Sequence, residues 1–143
     1  MSKSYSELKN MGHRSHYEWL TLGKEWVVDE IYSADCEIVN HAVPDELKHG
    51  REAFKAYGRA LRTAFPDINI VNEDIVCDGK CLLIRWSMTG THDGSYFGIP
   101  ASRKPIAITG DDVMVFNDEG QIKTLYLEED LLNLLAQMGL IPS

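Results

Sequence analysis

The chain has 143 residues, 44% of them hydrophobic and 25% charged, the balance of a globular domain and not of a disordered chain. Lys and Arg number 14 against 22 Asp and Glu, a net charge of −8 that repels phosphate backbones and argues against nucleic acid as a partner. No run approaches the ~18 apolar residues of a membrane span, and the opening Met1-Ser2-Lys3-Ser4-Tyr5 lacks the apolar core of a secretory signal. The 3 cysteines, Cys36, Cys77 and Cys81, suit a reducing compartment. The expectation is a cytoplasmic protein, one domain over residues 1–143, with no membrane and no nucleic-acid partner.

Leu8, Met11, Tyr17, Leu20, Trp26, Val27 and Ile31 recur at helical spacings, so the first third reads as helices broken at Gly12 and Gly23. A short β-type run over 36–41 ends before Pro44. A second amphipathic helix starts near Gly50, carries Phe54, Tyr57, Leu61 and Phe65 on one stripe, and stops at Pro66. The period then changes to two. Residues 68–77 and 80–92 read as a hairpin across Asp78-Gly79, because both turn positions favour positive φ. That turn pairs Cys77 with Lys80 and Cys81 with Val76. It also puts Arg85 opposite Asn72 and diagonal to Asp74, where a cross-strand ion pair accounts for it. A second hairpin joins 106–116 to 121–128 through Asn117-Asp118-Glu119-Gly120. Asp130 then caps a short helix stopped by Gly139. This order gives an α+β fold with helices on one side of a curved sheet.

Cys77 and Cys81 fall on opposite faces of the first hairpin, so they neither pair nor share a metal. His13 and His16 have no third ligand nearby, and His41 and His49 bracket a loop. No metal and no cofactor is expected. Phosphate-loop, dinucleotide and Gly-x-Ser-x-Gly fingerprints are absent. More informative is Asp111-Asp112, inside a run that otherwise reads as strand, where Asp is depleted. Parity places Asp112 on the face of Ile108, Gly110, Met114 and Phe116. There it is either a proton-transfer carboxyl or an interface residue paired with Lys or Arg. His92, in step with Trp86, Met88 and Gly90, is a general acid, a hydrogen-bond donor to a ligand, or a structural histidine.

Further motifs stand in order along the chain: Gly50-x-x-x-Phe54, Phe65-Pro66-Asp67, Arg85-Trp86, Gly90-Thr91-His92-x-Gly94-x-x-Phe97-Gly98-Ile99-Pro100, Gly120-x-Ile122, Tyr126-x-x-x-Asp130 and Gln137-x-Gly139. As a set they resemble the SnoaL-like polyketide cyclase family of the nuclear transport factor 2-like superfamily. The resemblance implies a cone-shaped α+β barrel. A strongly bent antiparallel sheet packs against N-terminal helices around an apolar pocket, with a short C-terminal helix. It also implies a homodimer.

By the same resemblance, the cyclases close a ring by an intramolecular aldol step without metal or organic cofactor. They use an Asp on the last long strand and a His on the strand before it. Those positions fall here on Leu127 and Met114, which move no proton. The family's Pro-Thr-Gly-Arg after Gly-Ile-Pro reads Ala101-Ser102-Arg103-Lys104. Asp112 remains as the candidate base and His92 as the group on the substrate oxygen. Trp86, Met88, Met114, Phe116, Leu125 and Leu127 form the expected wall. Three functions stay open. One is cofactor-independent acid/base chemistry (aldol-type cyclisation, isomerisation or dehydration) on a small apolar carbonyl compound. The others are non-catalytic binding of a small apolar ligand and a dimeric interaction domain.

Overall fold

Ser4 opens the first helix, α1 (Tyr5–His13), with a reciprocal cap: its hydroxyl accepts from the Glu7 N–H, and Glu7 Oε1 accepts from the Ser4 N–H. The helix runs directly into a π-helical stretch, Arg14–Thr21, and Gly23, at φ 77°, ends it. Next come α2 (Trp26–Ile31), β1 (Tyr32–Val39), a 3₁₀ turn (Asp45–Leu47) and α3 (Arg51–Ala64). Four long strands and a last helix follow: β2 (Asn69–Cys77), β3 (Cys81–Thr91), β4 (Pro105–Phe116), β5 (Ile122–Glu129) and α4 (Leu131–Gln137). The computed structural model describes residues 3–142. No helix among them is long and apolar enough to cross a membrane.

The strand order is β1-β5-β4-β3-β2. β2 to β5 form an antiparallel meander, as expected, but β1 joins the edge parallel to β5. A parallel neighbour requires a long crossover, and the whole chain from α3 through β4 supplies it. The curved sheet buries Leu82, Ile84, Trp86, Ile108 and Met114 against Met11, Trp19 and Leu20 of the N-terminal helices and Tyr57 and Leu61 of α3.

Three local departures from the sequence reading have clear causes. Gly12 does not break the first helix. A Cβ there would meet Ile84 Cδ1 at 2.7 Å, so the glycine lets the helix lie close on β3. Tyr17 and Trp26 are exposed: Tyr17 stacks on His13, and the Arg14 guanidinium lies over the Trp26 ring. At the first hairpin, Asp78 Oδ1 accepts from the backbone N–H of Lys80 and of Cys81, both at 2.9 Å. These bonds lengthen the loop, so Cys77 pairs with Leu82 and not with Lys80.

The register therefore shifts by two residues near the turn, and each side chain there keeps its expected face. Cys77 and Cys81 still point to opposite faces, and Arg85 lies directly opposite Asp74 with its guanidinium 2.8 Å from Asp74 Oδ2. Further along, a bulge at Glu73 changes the count. Asp74 faces Arg85, yet Asn72 faces Trp86. Asn72 keeps step with Ile70 on the inner face, where a count back from the turn puts it outward, and Glu73 and Asp74 both face outward.

Gly110 sits opposite Trp86 in the β3–β4 ladder. A Cβ there would overlap the Trp86 ring and the Glu128 carbonyl oxygen, so the indole occupies the space a side chain would take. Gly110→Ala should cost about 1–3 kcal/mol, the usual penalty of overpacking. It should appear as a lower urea midpoint at unchanged m-value, with a shifted tryptophan emission.

Candidate active site

β4 carries Asp112 into the interior, where it is 2% exposed. Its Oδ1 accepts from the Trp86 Nε1–H at 2.9 Å, and its Oδ2 lies 2.7 Å from His16 Nε2. His16 comes from the π-helical stretch, a geometry that concentrates at functional sites. Its other nitrogen, Nδ1, meets Asn72 Oδ1, from the inner face of β2 just before the Glu73 bulge. With a carboxylate on one nitrogen and an amide oxygen on the other, this arrangement favours the imidazolium form of His16, in which both ring N–H groups donate. Burial alone would pull its pKa down, but the Asp112 charge and the hydrogen bonds to Asp112 and Asn72 outweigh it and raise the pKa above 6.5.

Beside Asp112 lies a cavity of about 40 Å³, room for a few waters at ~10–15 Å³ each, so a ligand must displace side chains to enter. Apolar residues such as Leu20, Leu61, Ile70 and Ile108 form most of its wall. Two phenols also line it, Tyr57 from α3 and Tyr96 from the loop after β3. Burial pushes both pKa values up, which keeps them as O–H donors. Glu129, at the end of β5, completes the polar lining. Asn40 Nδ2 donates to its Oε2 at 3.0 Å, and burial raises its pKa. Among the described residues, no three of His, Cys, Asp and Glu converge as a metal site would need.

Of the residues singled out from sequence, Asp112, Trp86, Met88 and Leu127 line this cavity. Met114 and Leu125 are packed in the core outside its lining, and Phe116 borders a separate hollow near Lys3 and Gly120. His92 also lies outside the lining, buried against Phe65. Its Nδ1 accepts from the Ser102 N–H at 3.1 Å and is 2.8 Å from Ser102 Oγ. The ring proton is therefore on Nε2, which has no partner among the described residues, and burial holds its pKa below 6.5. In this arrangement His92 fastens the loop of residues 93–104 and does not meet Asp112.

Sequence reasoning missed His16, Asn72, Tyr57, Tyr96 and Glu129 as site residues. Two of them left a signal. His16 interrupts the buried helical stripe of Leu8, Met11 and Leu20, and Glu129 alternates in step with Leu125 and Leu127. Asn72 left only a mixed one, in step with Ile70 but out of step with Ile75, because the bulge between them breaks the period.

A sequence model of the SnoaL-like polyketide cyclase family matches residues 14–138. The chain belongs to that family. Among solved structures, TsrD of Streptomyces laurentii superposes with a TM-score of 0.86 at 22% identity, covering 97% of this chain and 99% of its own. A candidate SnoaL-like polyketide cyclase of Jannaschia gives 0.85 at 20% identity, with 99% of each chain covered. A candidate polyketide cyclase of Bacillus cereus gives 0.77 at 26% identity, covering 95% of this chain and 83% of its own. A comparison with functionally curated proteins found no match.

In this SnoaL-like chain the two buried histidines act on stability in opposite senses. His16, with a raised pKa, contributes stability that is complete below 6.5 and is lost as pH rises through its folded value. His92, with a lowered pKa, contributes stability that is complete above 6.5 and is lost as pH falls through its folded value. The difference in unfolding free energy between wild type and His16→Gln isolates the first effect. It should be largest below pH 6.5 and shrink as pH rises above it, and an NMR titration should place the His16 midpoint above 6.5.

Proposed function

We propose that this SnoaL-like protein carries out acid/base chemistry on a small, largely apolar carbonyl compound, with Asp112 as the base. The observation that supports this most is a buried carboxylate on the wall of an apolar cavity, held by Trp86 and His16 with no Lys or Arg among its partners. A carboxylate has about four lone-pair positions, so two bonded donors leave acceptor capacity for a substrate proton. Asp112 removes a proton from the carbon beside the carbonyl. Tyr57 and Tyr96 donate to the carbonyl oxygen as it gains charge, the role that sequence alone assigned to His92. The enolate then closes a ring, shifts a double bond or expels a hydroxyl.

Leu127 and Met114 occupy the positions that the family resemblance gives to the cyclase acid/base pair. Asp112 lies directly across the β4–β5 ladder from Leu127, which puts a carboxyl on the same wall by a different strand. The second reading, binding without turnover, draws its support from the apolar character of Leu127 and Met114.

Cyclohexanone in D₂O, followed by proton NMR, separates the two. Wild-type protein should accelerate exchange of the protons beside the carbonyl. Asp112→Asn, in which a neutral His16 avoids a stranded charge, should slow it by roughly 10²–10⁴-fold per folded protein, with folding checked by circular dichroism. Equal exchange in variant and wild type, or no acceleration over buffer, would leave binding as the function.

The outer face of the sheet supports a homodimer. Val76, Leu83, Val113 and Tyr126 pair in one row across β2 to β5, and Val39 continues it on β1. Val76 and Leu83 are 60% and 44% exposed, an apolar row that a second copy would cover. Sedimentation velocity should show a dimer that Leu83→Glu converts to monomer. A monomeric wild type would discard the interface.

A further inference from the structure

Glu129 is the polar group of the cavity that the base reading leaves without a task. It stands on the inner face of β5, two residues beyond Leu127, the residue paired with Asp112. It is therefore the diagonal cross-strand neighbour of Asp112, a spacing of roughly 7–8 Å, with both carboxyls on the one cavity. Among the described residues no Lys or Arg forms an ion pair with it. Its side-chain partner is Asn40, whose amide donates both to Glu129 Oε2 at 3.0 Å and to the Leu127 carbonyl oxygen at 2.7 Å. Asn40 thus ties the end of β1 to β5 and orients one oxygen of the carboxyl.

The two carboxyls differ in surroundings. Asp112 is held by an imidazolium and an indole N–H. Glu129 has one amide donor and an apolar border. Burial, helped by the charges of Glu128 and Asp112 and opposed by the Asn40 hydrogen bond, favours its protonated form. One carboxyl held by donors and a second bordered by apolar surface on the same cavity is an arrangement suited to a base beside an acid.

Resting on the reading of Asp112 as base, we propose that Glu129 is the general acid of the site, and that the substrate class is β-hydroxy ketones, which lose water. The electron pair of the C–H bond cleaved by Asp112 forms the new C=C bond. The C–O bond at the next carbon breaks, and its electron pair stays on the hydroxyl oxygen. That oxygen takes the Glu129 proton and departs as water. The enone is released with Asp112 protonated and Glu129 ionised, and exchange with solvent restores both.

Two probes on one ring separate acid from base. Cyclohexanone exchange in D₂O needs the base alone, whereas conversion of 3-hydroxycyclohexanone to cyclohexenone, read by enone absorbance, needs the acid as well. Glu129→Gln keeps the side-chain shape and should lower the ratio of enone formation to exchange, both measured on the same variant, by roughly 10²–10⁴-fold. Asp112→Asn should lose both reactions. Enone formation at the wild-type rate in Glu129→Gln, or none above buffer in wild type, overturns the acid role while leaving the base reading intact. Loss of exchange in Glu129→Gln also overturns it, because the variant would then have damaged the whole cavity. Exchange that survives in Asp112→Asn removes the base reading instead.

Discussion

A carboxylate taken out of water loses several kcal/mol of solvation unless donors replace what it lost, and Asp112 imposes that demand on three separate elements. The N-terminal helix answers with His16, presented from a π-helical stretch. β3 answers with Trp86, whose indole fits only because Gly110 has no side chain. β2 answers at one remove, presenting Asn72 beside its bulge to the far nitrogen of His16. Each local irregularity near the site, an unusual helix, a strand glycine and a bulge, serves the same buried charge. Removing one partner of such a pair is the damaging change, since it strands the other.

The opposite wall is arranged by a loop. Between His92 and Lys104 the chain adopts positive φ at two residues other than glycine, Phe97 at 44° and Arg103 at 64°, conformations that persist only where surrounding contacts enforce them. The His92–Ser102 bonds close the base of this loop, and the Tyr96–Ile99 pair closes its tip. Phe97 stacks on Tyr57 with centroids 6.3 Å apart, while Tyr96 enters the cavity. The buried histidine thus acts at a distance, through the phenols that its loop positions.

Much of the fold was legible because it rests on periods and punctuation. Phe54, Tyr57 and Leu61 mark α3, Pro66 ends it, and alternation in β4 places Asp112 inside and Asp111 outside. The turn at Asp78-Gly79 is legible but its length is not, since the Asp78 side-chain hydrogen bonds add residues that a turn signal does not reveal. The site was half legible. Asp112 stands out as a charge on an apolar face. His16 lies 96 residues away in sequence, and no local pattern couples two positions so distant. His92 is the converse case: it shares the buried face of Trp86, as parity predicts, but lies past the end of β3 against Phe65 and Ser102 and not on the cavity.

The bulge in β2 has an evolutionary side. Because Glu73 and Asp74 both face outward while Asn72 and Ile75 face inward, the strand holds one residue more than its ladder requires. Deleting Glu73 would leave Asn72 beside Asp74 in ordinary alternation, every neighbour still on its own side. The strand thus contains one position where a single-codon loss leaves the order of its faces intact. An insertion or deletion elsewhere in β2 would invert the chain beyond it, exposing Ile70 and burying Val71. What the loss at Glu73 would remove is the bend, and with it the reach of Asn72 toward the helix. The same segment can therefore vary in length at one point while its geometry there remains tied to chemistry on the far side of the sheet.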